Sequence, residues 1–511
     1  MKGFLKVYLW GEEIGRLAWH DSRQLAYFNF NPEFLRGNLD IAPLVAPIHS
    51  PQSKLAIFGE TERIYQKLPS FIADSLPDSW GNQLFEQWRR QQRITARSVT
   101  PLEKLAFIGS RGMGALEFVP EIERGITPGK ISIKALSDLA QRIAEQRENV
   151  SIPPDENLTL QSLIAVGTSA GGRQPKGIIA INPKTKEIRS GQIENDPDFE
   201  YYLLKFGNNQ QSLAEIEQTY YEMALLAGIC MTESRLLEVE GTRHFLTKRF
   251  DRNSSGKLHT QTLAAMHPGA DSYETLLAVC RRLHLPESDC QEAFRRMVFN
   301  IIANNTDDHN KNFAFLMDRN GTWRLSPAYD MTFIFDTGGF LPNKEHCLMI
   351  GGKLQDISKE VVLTFAAQQG IRKPECIIEK VANAAKQFRP IAEKNGVKNE
   401  LIGRIEACIN GHLSSWGYGS NNQSFSFSNG NVTISNARIE PTYKGNYHLL
   451  ATIDGKEYKY IFRPGQPEHQ TITSKGLSNL TTDYIRGYVE EYIMPKILRT
   501  AHRHHGGFYF T

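Results

Sequence analysis

One polar stretch of this sequence has the residue types and the spacing that phosphoryl transfer requires. Asp307 and Asn312 form an Asp-x4-Asn pattern directly after a strongly apolar segment, and Asp330 follows a short predicted hairpin. Phosphoryl transfer needs a carboxylate beside the attacking hydroxyl, and hard oxygen ligands that hold Mg²⁺ against the phosphates of a nucleotide. The pattern therefore predicts Asp307 as the catalytic carboxylate, and Asn312 and Asp330 as ligands of Mg²⁺.

A lysine earlier in the chain could complete such a site. Lys205 interrupts the otherwise apolar predicted strand 201–206, and a buried lysine needs an ionic partner. Glu217 on the next predicted helix is the candidate, because protein kinases pair a strand lysine with a helix glutamate in this order. Taken singly, an Asp- and Asn-rich loop is equally typical of a structural turn, and a strand-edge lysine commonly extends into water. The shared order of all the parts favours phosphoryl transfer.

A glycine-rich stretch, residues 167–176, precedes the lysine strand. It matches neither the Walker A pattern nor G-x-G-x-x-G. Gly171 and Gly172 would nevertheless let backbone N–H groups approach phosphates, and Arg173 and Lys176 would add positive charge. An isolated turn of this kind is more typical of a hinge. In front of the predicted lysine and carboxylates, it favours a phosphate-binding loop.

The elements that must position these residues are visible in the hydrophobic periodicity. Around the predicted lysine the pattern indicates a small β-rich lobe with one inserted helix, Leu213–Ala227, which Gly228 should end. A helix at 290–304 has a continuous apolar face and leads directly into the polar stretch. A hairpin at 313–325, which turns at Asn320-Gly321, precedes the last predicted ligand.

These patterns divide the chain into five predicted segments of an α+β protein. They are an N-terminal α/β subdomain at 1–125, a helix and linker at 126–165, a β-rich lobe at 166–255, a helical lobe at 256–410 and a C-terminal α+β extension at 411–511. In the second segment, the helix is predicted at 133–145 and the linker at 148–158. The extension is predicted to contain hairpins that turn at Asn429-Gly430 and Asp454-Gly455, and a terminal helix at 482–500.

The composition is that of a globular protein without a basic coat for nucleic acid. Of 511 residues, 40% are hydrophobic and 23% charged, and the formal net charge is +3. Wholesale disorder, collagen and coiled coil are therefore excluded. The six cysteines form no C-x-x-C pair, so neither a zinc site nor a disulfide framework is predicted. With no signal-peptide core and no stretch of roughly 20 apolar residues, we expect a cytoplasmic protein that does not enter a membrane.

Beyond these patterns, the sequence resembles the HipA-type serine/threonine kinases, the toxins of HipBA-like type II toxin–antitoxin systems. The resemblance covers roughly residues 1–410, and the hundred or so residues from Gly411 onward have no counterpart. The strings that carry it are GEEIGRL (11–17), IGSRGMGAL (108–116), SAGGRQPK (169–176), LTKRFDR (246–252), NTDDHNKNF (305–313) and AYD (328–330). The family implies a two-lobed, protein-kinase-like α+β fold, to which an extra C-terminal module is added here.

The resemblance also implies a role for each matching residue. Asp307 would be the catalytic aspartate, Asn312 and Asp330 would hold Mg²⁺, and Glu217 would support the lysine. The doublet with Asp308 leaves two carboxylates for one role, and the spacing to Asn312 favours Asp307. The implied ATP-binding residues are Gly171, Gly172, Arg173, Gln174, Lys176, Lys205, Lys248, Arg249, Phe250 and His309. Within this set, residues 248–250 match the hinge whose backbone meets adenine in the family.

Ser169 matches the serine that members of this family autophosphorylate. Members so modified lose the ordered phosphate loop. The physical reason is simple, because a phosphate dianion placed where the phosphates of ATP should lie would repel them.

At the level of the cell, the resemblance implies a growth-inhibiting toxin that a small helix-turn-helix antitoxin neutralises. DNA would be reached only through that antitoxin, since the net charge does not support independent binding. The implied target is a protein, such as an aminoacyl-tRNA synthetase or another translation component. Three alternatives remain open: a small-molecule phosphotransferase that uses the same Asp/Asn/Asp set, a non-catalytic pseudokinase, and a regulatory kinase without a toxic role.

Overall fold

The computed structural model describes most of the chain. The described residues are 3–94, 99–122, 132–146, 157–167, 174–191, 196–208, 211–253, 256–335, 343, 345–418, 425–428, 433–441, 447–453 and 456–462. The chain divides into two compact units, Met1–Leu413 and Ser414–Thr511. Within the described ranges, no helix is both long enough and apolar enough to cross a bilayer.

The first unit begins with a five-stranded antiparallel sheet. Its strands are β1 (Phe4–Leu9), β2 (Glu12–His20), β3 (Leu25–Phe30), β4 (Ile57–Phe58) and β5 (Leu116–Val119), in the order β4-β3-β2-β1-β5. The alternation expected of a strand is present, since Leu5, Val7 and Leu9 of β1 are all buried. Three helices follow β4 in the chain: α1 (Ser70–Ala73), α2 (Ser79–Gln91) and α3 (Pro101–Ile108).

Two further helices join α2 in one apolar cluster. The predicted helix at 133–145 is α4 (Ile133–Gln146). A second helix, α5 (Asn157–Val166), begins where the sequence had suggested the end of a linker, so Leu158 is helical and that part of the prediction was wrong. Apolar residues fill much of α5, which obscures a one-sided period, and its Leu163 packs in the same cluster as Trp80 of α2.

A second antiparallel sheet forms the β-rich lobe. Its strands are β6 (Lys176–Ile181), β7 (Ile188–Ser190), β8 (Glu200–Lys205), β9 (Ser234–Val239) and β10 (Thr242–Lys248), in the order β7-β6-β8-β10-β9. Lys176 of β6 lies directly opposite Lys205 of β8, so both side chains leave the same face of the sheet. The inserted helix, α6 (Leu213–Ala227), ends as predicted at Gly228, whose positive φ of 81° suits glycine.

The helical lobe follows a short strand pair, β11 (Arg252–Asn253) with β12 (Gly256–Lys257). A three-stranded sheet comes next, of β13 (His259–Thr262), β14 (Ala314–Met317) and β15 (Trp323–Leu325). Its last two strands are the predicted hairpin, whereas β13 was not expected. The helices are α7 (Leu263–Met266), α8 (Tyr273–Arg282), α9 (Glu287–Ala303), α10 (Lys359–Gln368), α11 (Pro374–Ala385), α12 (Phe388–Asn395) and α13 (Asn399–Ser415).

Helix α9 determines where the polar stretch begins. Its apolar face is buried as predicted, including Met297, Val298 and Ile302, which are completely inaccessible. The helix ends at Asn304, which adopts the left-handed conformation with a φ of 56°. Asparagine tolerates this conformation better than most residues. The polar residues therefore leave a fixed, buried helix end.

The second unit contains a four-stranded antiparallel sheet. Its strands are β16 (Phe425–Ser428), β17 (Thr433–Pro441), β18 (Tyr447–Ile453) and β19 (Lys456–Phe462), in sequence order. The two predicted hairpins correspond to the pairs β16–β17 and β18–β19, while their turns lie outside the described residues. The predicted terminal helix at 482–500 also lies outside them. Helix α13 continues through the predicted boundary at residue 410 to Ser415.

Candidate active site

A buried lysine joins two acidic residues from different lobes. Lys205 ends β8, and its Nζ donates to Oε2 of Glu217 at 2.6 Å and to Oδ1 of Asp330. Burial alone would lower the pKa of Lys205, but the carboxylates of Asp330 and Glu217 together raise it above its ordinary value. The ammonium therefore stays charged inside the protein. The sequence predicted the contact with Glu217, but the contact with Asp330 appears only in three dimensions.

Asp330 remains an anion although it is buried. Burial would raise its pKa, but the charges of Lys205 and Lys176 lower it to about 2. Its backbone is left-handed, with a φ of 56°, just after the strand β15. Glu217 behaves differently, because burial raises its pKa and Lys205 only partly offsets that effect. Asp330 is therefore the stronger permanent negative charge of the two.

A second lysine beside this cluster is held from the N-terminal subdomain. Lys176 is 1% exposed, and its Nζ lies 3.6 Å from Oδ2 of Asp78. Asp78 is also the N-cap of α2, where it accepts a hydrogen bond of 2.6 Å from the backbone N–H of Gly81. The indole Nε1 of Trp80 donates to the backbone oxygen of Lys176 at 2.8 Å. The first turn of α2 thus positions a lysine of the β-rich lobe.

Asp307 is the accessible carboxylate of the polar stretch, residues 305–312, which we call the polar loop. Its side chain is 48% exposed, and His309 Nε2 lies 3.8 Å from its Oδ1. Asn312 fixes the loop, because its Nδ2 donates to the backbone oxygen of Asp307 at 2.7 Å. Burial raises the pKa of Asp307, an effect that His309 reduces and that Asp330 reinforces. The group can therefore both meet an incoming hydroxyl and accept its proton.

The neighbouring Asp308 has a different environment. It is 1% exposed and accepts hydrogen bonds from the hydroxyl of Tyr273 at 2.7 Å and from the backbone N–H of Cys347 at 2.8 Å. Nδ1 of His346 lies 2.9 Å from its Oδ2. With three partners inside the protein, Asp308 has a structural role. The doublet therefore presents one carboxylate, that of Asp307, at the surface of the loop.

The small helix α7 is hydrogen-bonded to the end of the polar stretch. Its backbone N–H groups donate to the loop, from Leu263 to the oxygen of Phe313 at 2.7 Å and from Ala264 to the oxygen of Asn310 at 3.2 Å. Asn310 Nδ2 in turn donates to the oxygen of Ala270 at 2.9 Å. The main chain on both sides of Asn312 is thereby tied to a buried element.

The N-terminal subdomain also binds α7 and the residue before it. The hydroxyl of Tyr65 donates to the oxygen of Ala264 at 3.0 Å, and that of Ser70 donates to the oxygen of the next residue at 2.9 Å. Asp74 accepts from both the backbone N–H and the hydroxyl of Thr262, at 2.6 and 2.8 Å. Three side chains of the N-terminal subdomain therefore position helix α7, and α7 in turn holds the polar loop of the helical lobe.

The expected adenine hinge, residues 248–250, is followed directly by another buried carboxylate, that of Asp251. Asp251 is completely inaccessible and pairs with the guanidinium groups of Arg249 and Arg252. It also accepts the backbone N–H of Gly114 from the N-terminal subdomain at 2.8 Å. Burial would raise the pKa of Asp251, but the two arginines lower it below its ordinary range. The strings at 108–116 and 246–252 therefore meet in one ion cluster.

This cluster limits what the hinge side chains can contribute. The backbone N–H of Arg249 already donates to the oxygen of Tyr201 at 2.9 Å. Lys248 turns its ammonium to Glu200 Oε1 at 2.6 Å. Lys248 and Arg249, both expected to bind ATP, thus have their side chains engaged within the protein. The ring of Phe250 remains beside the site, 5.3 Å from the ring of Tyr329.

Part of the expected phosphate loop can be placed and part cannot. Gln174 lies beside β6, and its Nε2 donates to the oxygen of Phe206 at 3.3 Å. Lys176 is the first residue of that strand. Four expected site residues lie outside the described residues: Ser169, Gly171, Gly172 and Arg173.

The donor set fits a magnesium ion that is shared with nucleotide phosphates. Asp330 supplies an ionised carboxylate, and Asn312 uses its amide nitrogen within the loop, so its amide oxygen is the atom that could coordinate a metal. Within the described ranges, no cluster of three or more His, Cys, Asp or Glu side chains could hold a metal alone. Mg²⁺ usually binds through one or two carboxylates and takes its remaining ligands from phosphates and water.

Sequence reasoning missed the residues that brace the site from a distance. Asp74 and Asp78 were not among the predicted site residues, and neither was Asp251. For Asp78 the only signal was its position as a helix N-cap, and Asp251 stood inside a string that had been singled out for its neighbours. Their partners lie far away in sequence, so no local pattern could reveal them.

A solved structure resembles most of the chain. A complex of Shewanella oneidensis HipA with HipB and operator DNA includes a chain that matches this one with a TM-score of 0.56 and 16% identity. The match covers 80% of this chain and 97% of the other. It shows a common fold and confirms the predicted α+β, two-lobed, kinase-like architecture.

Two curated proteins also match in sequence. A Sinorhizobium fredii protein named "Putative kinase Y4dM" is 22% identical over 41% of this chain, and a Haemophilus influenzae protein named "Putative kinase" is 27% identical over 37% of it. The alignments span 56% and 60% of those proteins, so the chain spans less than two thirds of the relatives that it matches.

Two family models match the chain in succession. The model of the HipA N-terminal domain matches residues 5–119, and that of the HipA-like C-terminal domain matches residues 168–388. Between them they account for well over half of the chain and contain the Lys205 cluster, the polar loop and the subdomain that braces both. The chain therefore belongs to the HipA family.

Proposed function

We propose that this protein is an ATP- and Mg²⁺-dependent kinase that transfers the γ-phosphoryl group to a serine or threonine hydroxyl of a protein. The observation that carries the proposal is the position of Lys205 between Glu217 and Asp330. A buried lysine held at once by a helix carboxylate and by the aspartate after a hairpin is the arrangement that kinases need to hold ATP. Asp307, exposed on the adjoining loop, supplies the remaining group.

Each residue has a separate task in this proposal. Lys205 and Lys176 would bind the nucleotide phosphates, and Glu217 would position Lys205. Asn312 and Asp330 would hold Mg²⁺, which would neutralise the charge that develops on the phosphates. Asp307 would orient the acceptor hydroxyl and take its proton. None of these residues would form a covalent bond to the phosphoryl group. Positioning and electrostatic stabilisation provide most of the catalysis in phosphoryl transfer.

Asp307, the proposed base, and Asp330, the proposed metal ligand, differ in pKa because their surroundings differ. Burial and Asp330 raise the pKa of Asp307, whereas two lysines lower that of Asp330. A raised pKa makes Asp307 the better proton acceptor, and a lowered pKa keeps Asp330 ionised for the metal. Two carboxylates on neighbouring loops would thus perform different functions.

The adenine and the phosphate loop complete the proposal. In the hinge 248–250, Phe250 would contact adenine with its ring and backbone, because the backbone N–H groups of Lys248 and Arg249 already donate to Glu233 and Tyr201. His309 would lie near the phosphates. The glycine-rich loop, with Gly171, Gly172, Arg173 and Gln174, would cover them. Phosphorylation of Ser169 in that loop would be the enzyme's own off-switch, because a dianion there would repel ATP.

In the cell, we propose a growth-inhibiting toxin that a helix-turn-helix antitoxin neutralises, with contact to DNA only through that partner. The support is family membership and the matching chain from Shewanella oneidensis, whose complex contains HipB and operator DNA. The proposed target is a translation component such as an aminoacyl-tRNA synthetase. We place the protein in the cytoplasm, where such a target would be met.

The deciding experiment is the intact mass of the purified protein after incubation with Mg-ATP, with mapping of the modified residue. We expect a phosphate on Ser169 in the wild type and none in Asp307→Ala. Nucleotide binding, measured by calorimetry, should persist in Asp307→Ala because this carboxylate does not hold the phosphates. Undetectable nucleotide binding by the wild type would reject the proposal. Binding without any transfer would favour a different acceptor, such as a small molecule.

The toxic role needs a separate test. Induced expression of the wild type should slow growth, expression of Asp307→Ala should not, and co-expression of the antitoxin should restore growth. Equal growth of cells with either form would reject the toxin while leaving the kinase intact.

A further inference from the structure

One buried carboxylate joins the polar loop to a segment downstream of Asp330. Asp308 accepts the backbone N–H of Cys347 at 2.8 Å and lies 2.9 Å from Nδ1 of His346. Both partners belong to residues 345–350, which we call the docking segment. The third partner, the hydroxyl of Tyr273, belongs to α8.

The docking segment makes further contacts close to Asp308. His346 is 5% exposed, and its backbone N–H donates to the oxygen of Leu354 at 2.8 Å. The Sγ of Cys347 lies 3.4 Å from the backbone oxygen of Thr306, two residues before Asp308. The first half of the docking segment is therefore attached directly to the polar loop.

The second half is held without Asp308. Leu348 and Ile350 are buried, in the alternation of an extended chain. The backbone N–H of Met349 donates to the oxygen of Asp271 at 2.8 Å, and its oxygen accepts the N–H of Tyr273 at 3.0 Å. Loss of the Asp308 contacts should therefore loosen the first half of the docking segment and leave the second half in place.

Kinases commonly order the segment after the metal-binding aspartate by phosphorylating it, so that the new phosphate pairs with arginine. Here the accepting carboxylate, Asp308, is on the loop, and two of its partners, His346 and Cys347, are on the segment. Asp308 is a carboxylate of the chain itself, present from synthesis onward. Because Asp308 follows Asp307 directly, any shift of the docking segment would also move the backbone of Asp307.

We propose that Asp308 and His346 are positioning residues that hold the docking segment on the polar loop, directly beside Asp307. This inference rests on the function proposed above. Neither residue touches the reacting atoms. Their effect is exerted through the placement of Asp307.

Three variants separate positioning from general stability. His346→Ala removes a partner of Asp308 on the docking segment, and His346→Asn restores an N–H close to the position of Nδ1. Tyr273→Phe is the matched control, because it removes one hydrogen bond from the same carboxylate, and one from Asn300, without changing a side chain of the docking segment. All three should retain the nucleotide affinity of the wild type, measured by calorimetry.

The rate of phosphate incorporation should distinguish them. We expect kcat of His346→Ala to fall by about tenfold or more, since small misplacements of a catalytic group are costly. His346→Asn should recover most of that loss, and Tyr273→Phe should stay within about twofold of the wild type. Equal losses in His346→Ala and Tyr273→Phe, or a parallel loss of nucleotide affinity, would overturn the inference.

Hydrogen exchange tests the docking without any turnover. In the nucleotide-free protein, His346→Ala should speed exchange at the amide of Cys347 and leave that of Met349 protected. Unchanged protection at Cys347 would overturn the inference even in an active enzyme. If the wild type transfers no phosphate but the exchange result holds, the proposed function fails while the docking contact stands.

Discussion

Asp78 of the N-terminal subdomain and Lys176 of the β-rich lobe form an ion pair in which both side chains are almost completely buried. The distance of 3.6 Å between Oδ2 and Nζ makes it a loose pair, and burial raises the pKa of Asp78. Lys176 is thus held beside Lys205 by a carboxylate that also begins helix α2. The same carboxylate serves a helix terminus and a cation of the candidate active site.

Asp78→Asn separates these two tasks, because asparagine also caps helices well. It should keep the start of α2 but leave Lys176 without its partner, and lower the free energy of unfolding by about 3 kcal/mol. The double variant Asp78→Asn/Lys176→Met should recover part of this loss, since no buried ammonium then remains. Urea unfolding measures both, and a loss below about 0.5 kcal/mol in the single variant would contradict the role of the pair.

Lys205 and Glu217 should contribute unequally to catalysis. Lys205→Met removes the charge that would face the phosphates, so phosphotransfer should fall by roughly a hundredfold or more. Glu217→Gln keeps Lys205 and its contact with Asp330, and should lose only about tenfold. Lys394→Met is the control, because Lys394 is exposed and pairs with Glu222 at the surface. A similar loss in all three would mean that the assay reports folding.

Acid stability should depend on Asp330. Its pKa in the folded protein is about 2, below the ordinary value of 3.8, so the folded state binds this proton more weakly than the unfolded state does. The corresponding stability is present above pH 3.8 and is lost as the pH falls from there towards about 2. Asp330→Asn should therefore flatten the decline of unfolding free energy in that window. An unchanged decline would show that other carboxylates dominate.

The activity should have an acid limb set by Asp307. Because its pKa is raised above 3.8, kcat/KM should fall as the pH drops through a value above that one and the base becomes protonated. The charge of His309 opposes this rise, so His309→Gln should move the limb to higher pH. The pH profile of phosphotransfer checks both statements. A limb that moves to lower pH in His309→Gln would contradict the assignment.

Ser169 should control how long the enzyme stays active. Ser169→Ala should transfer phosphate to other acceptors without losing activity over time, whereas Ser169→Asp should bind nucleotide poorly because of like-charge repulsion. Thr168→Ala is the matched control for a loop substitution. Progress curves and nucleotide titration distinguish the variants. If Ser169→Ala and the wild type decline at the same rate, the proposed off-switch is elsewhere.

The parts that the sequence predicted best are those whose signal is local. Helix α6 and its end at Gly228 follow from apolar spacing and a glycine, and the contact between Lys205 and Glu217 follows from one lysine in an apolar strand. The buried face of α9 and the hairpin β14–β15 also have short-range patterns. Where the hydrophobic periodicity and the turn residues decide the structure, a single sequence is enough to predict it.

The parts that were missed depend on tertiary contact. Nothing adjacent to Asp308 shows that it binds a segment almost forty residues away, so the doublet stayed ambiguous until its partners His346 and Cys347 were located. Lys248 and Arg249 were expected near ATP because of their string, yet their side chains serve Glu200 and Asp251. Which of two like residues is buried is a property of the packed chain.

The bracing of helix α7 has a consequence for how the chain must fold. Tyr65 bonds to a residue 199 positions later, Ser70 to one 195 later and Asp74 to one 188 later. During synthesis, the N-terminal subdomain leaves the ribosome long before these partners exist, so its contacts stay incomplete until residues 262–265 emerge. Contacts of such high sequence separation are formed late and slowly. The subdomain and the polar loop should therefore reach their final structure together.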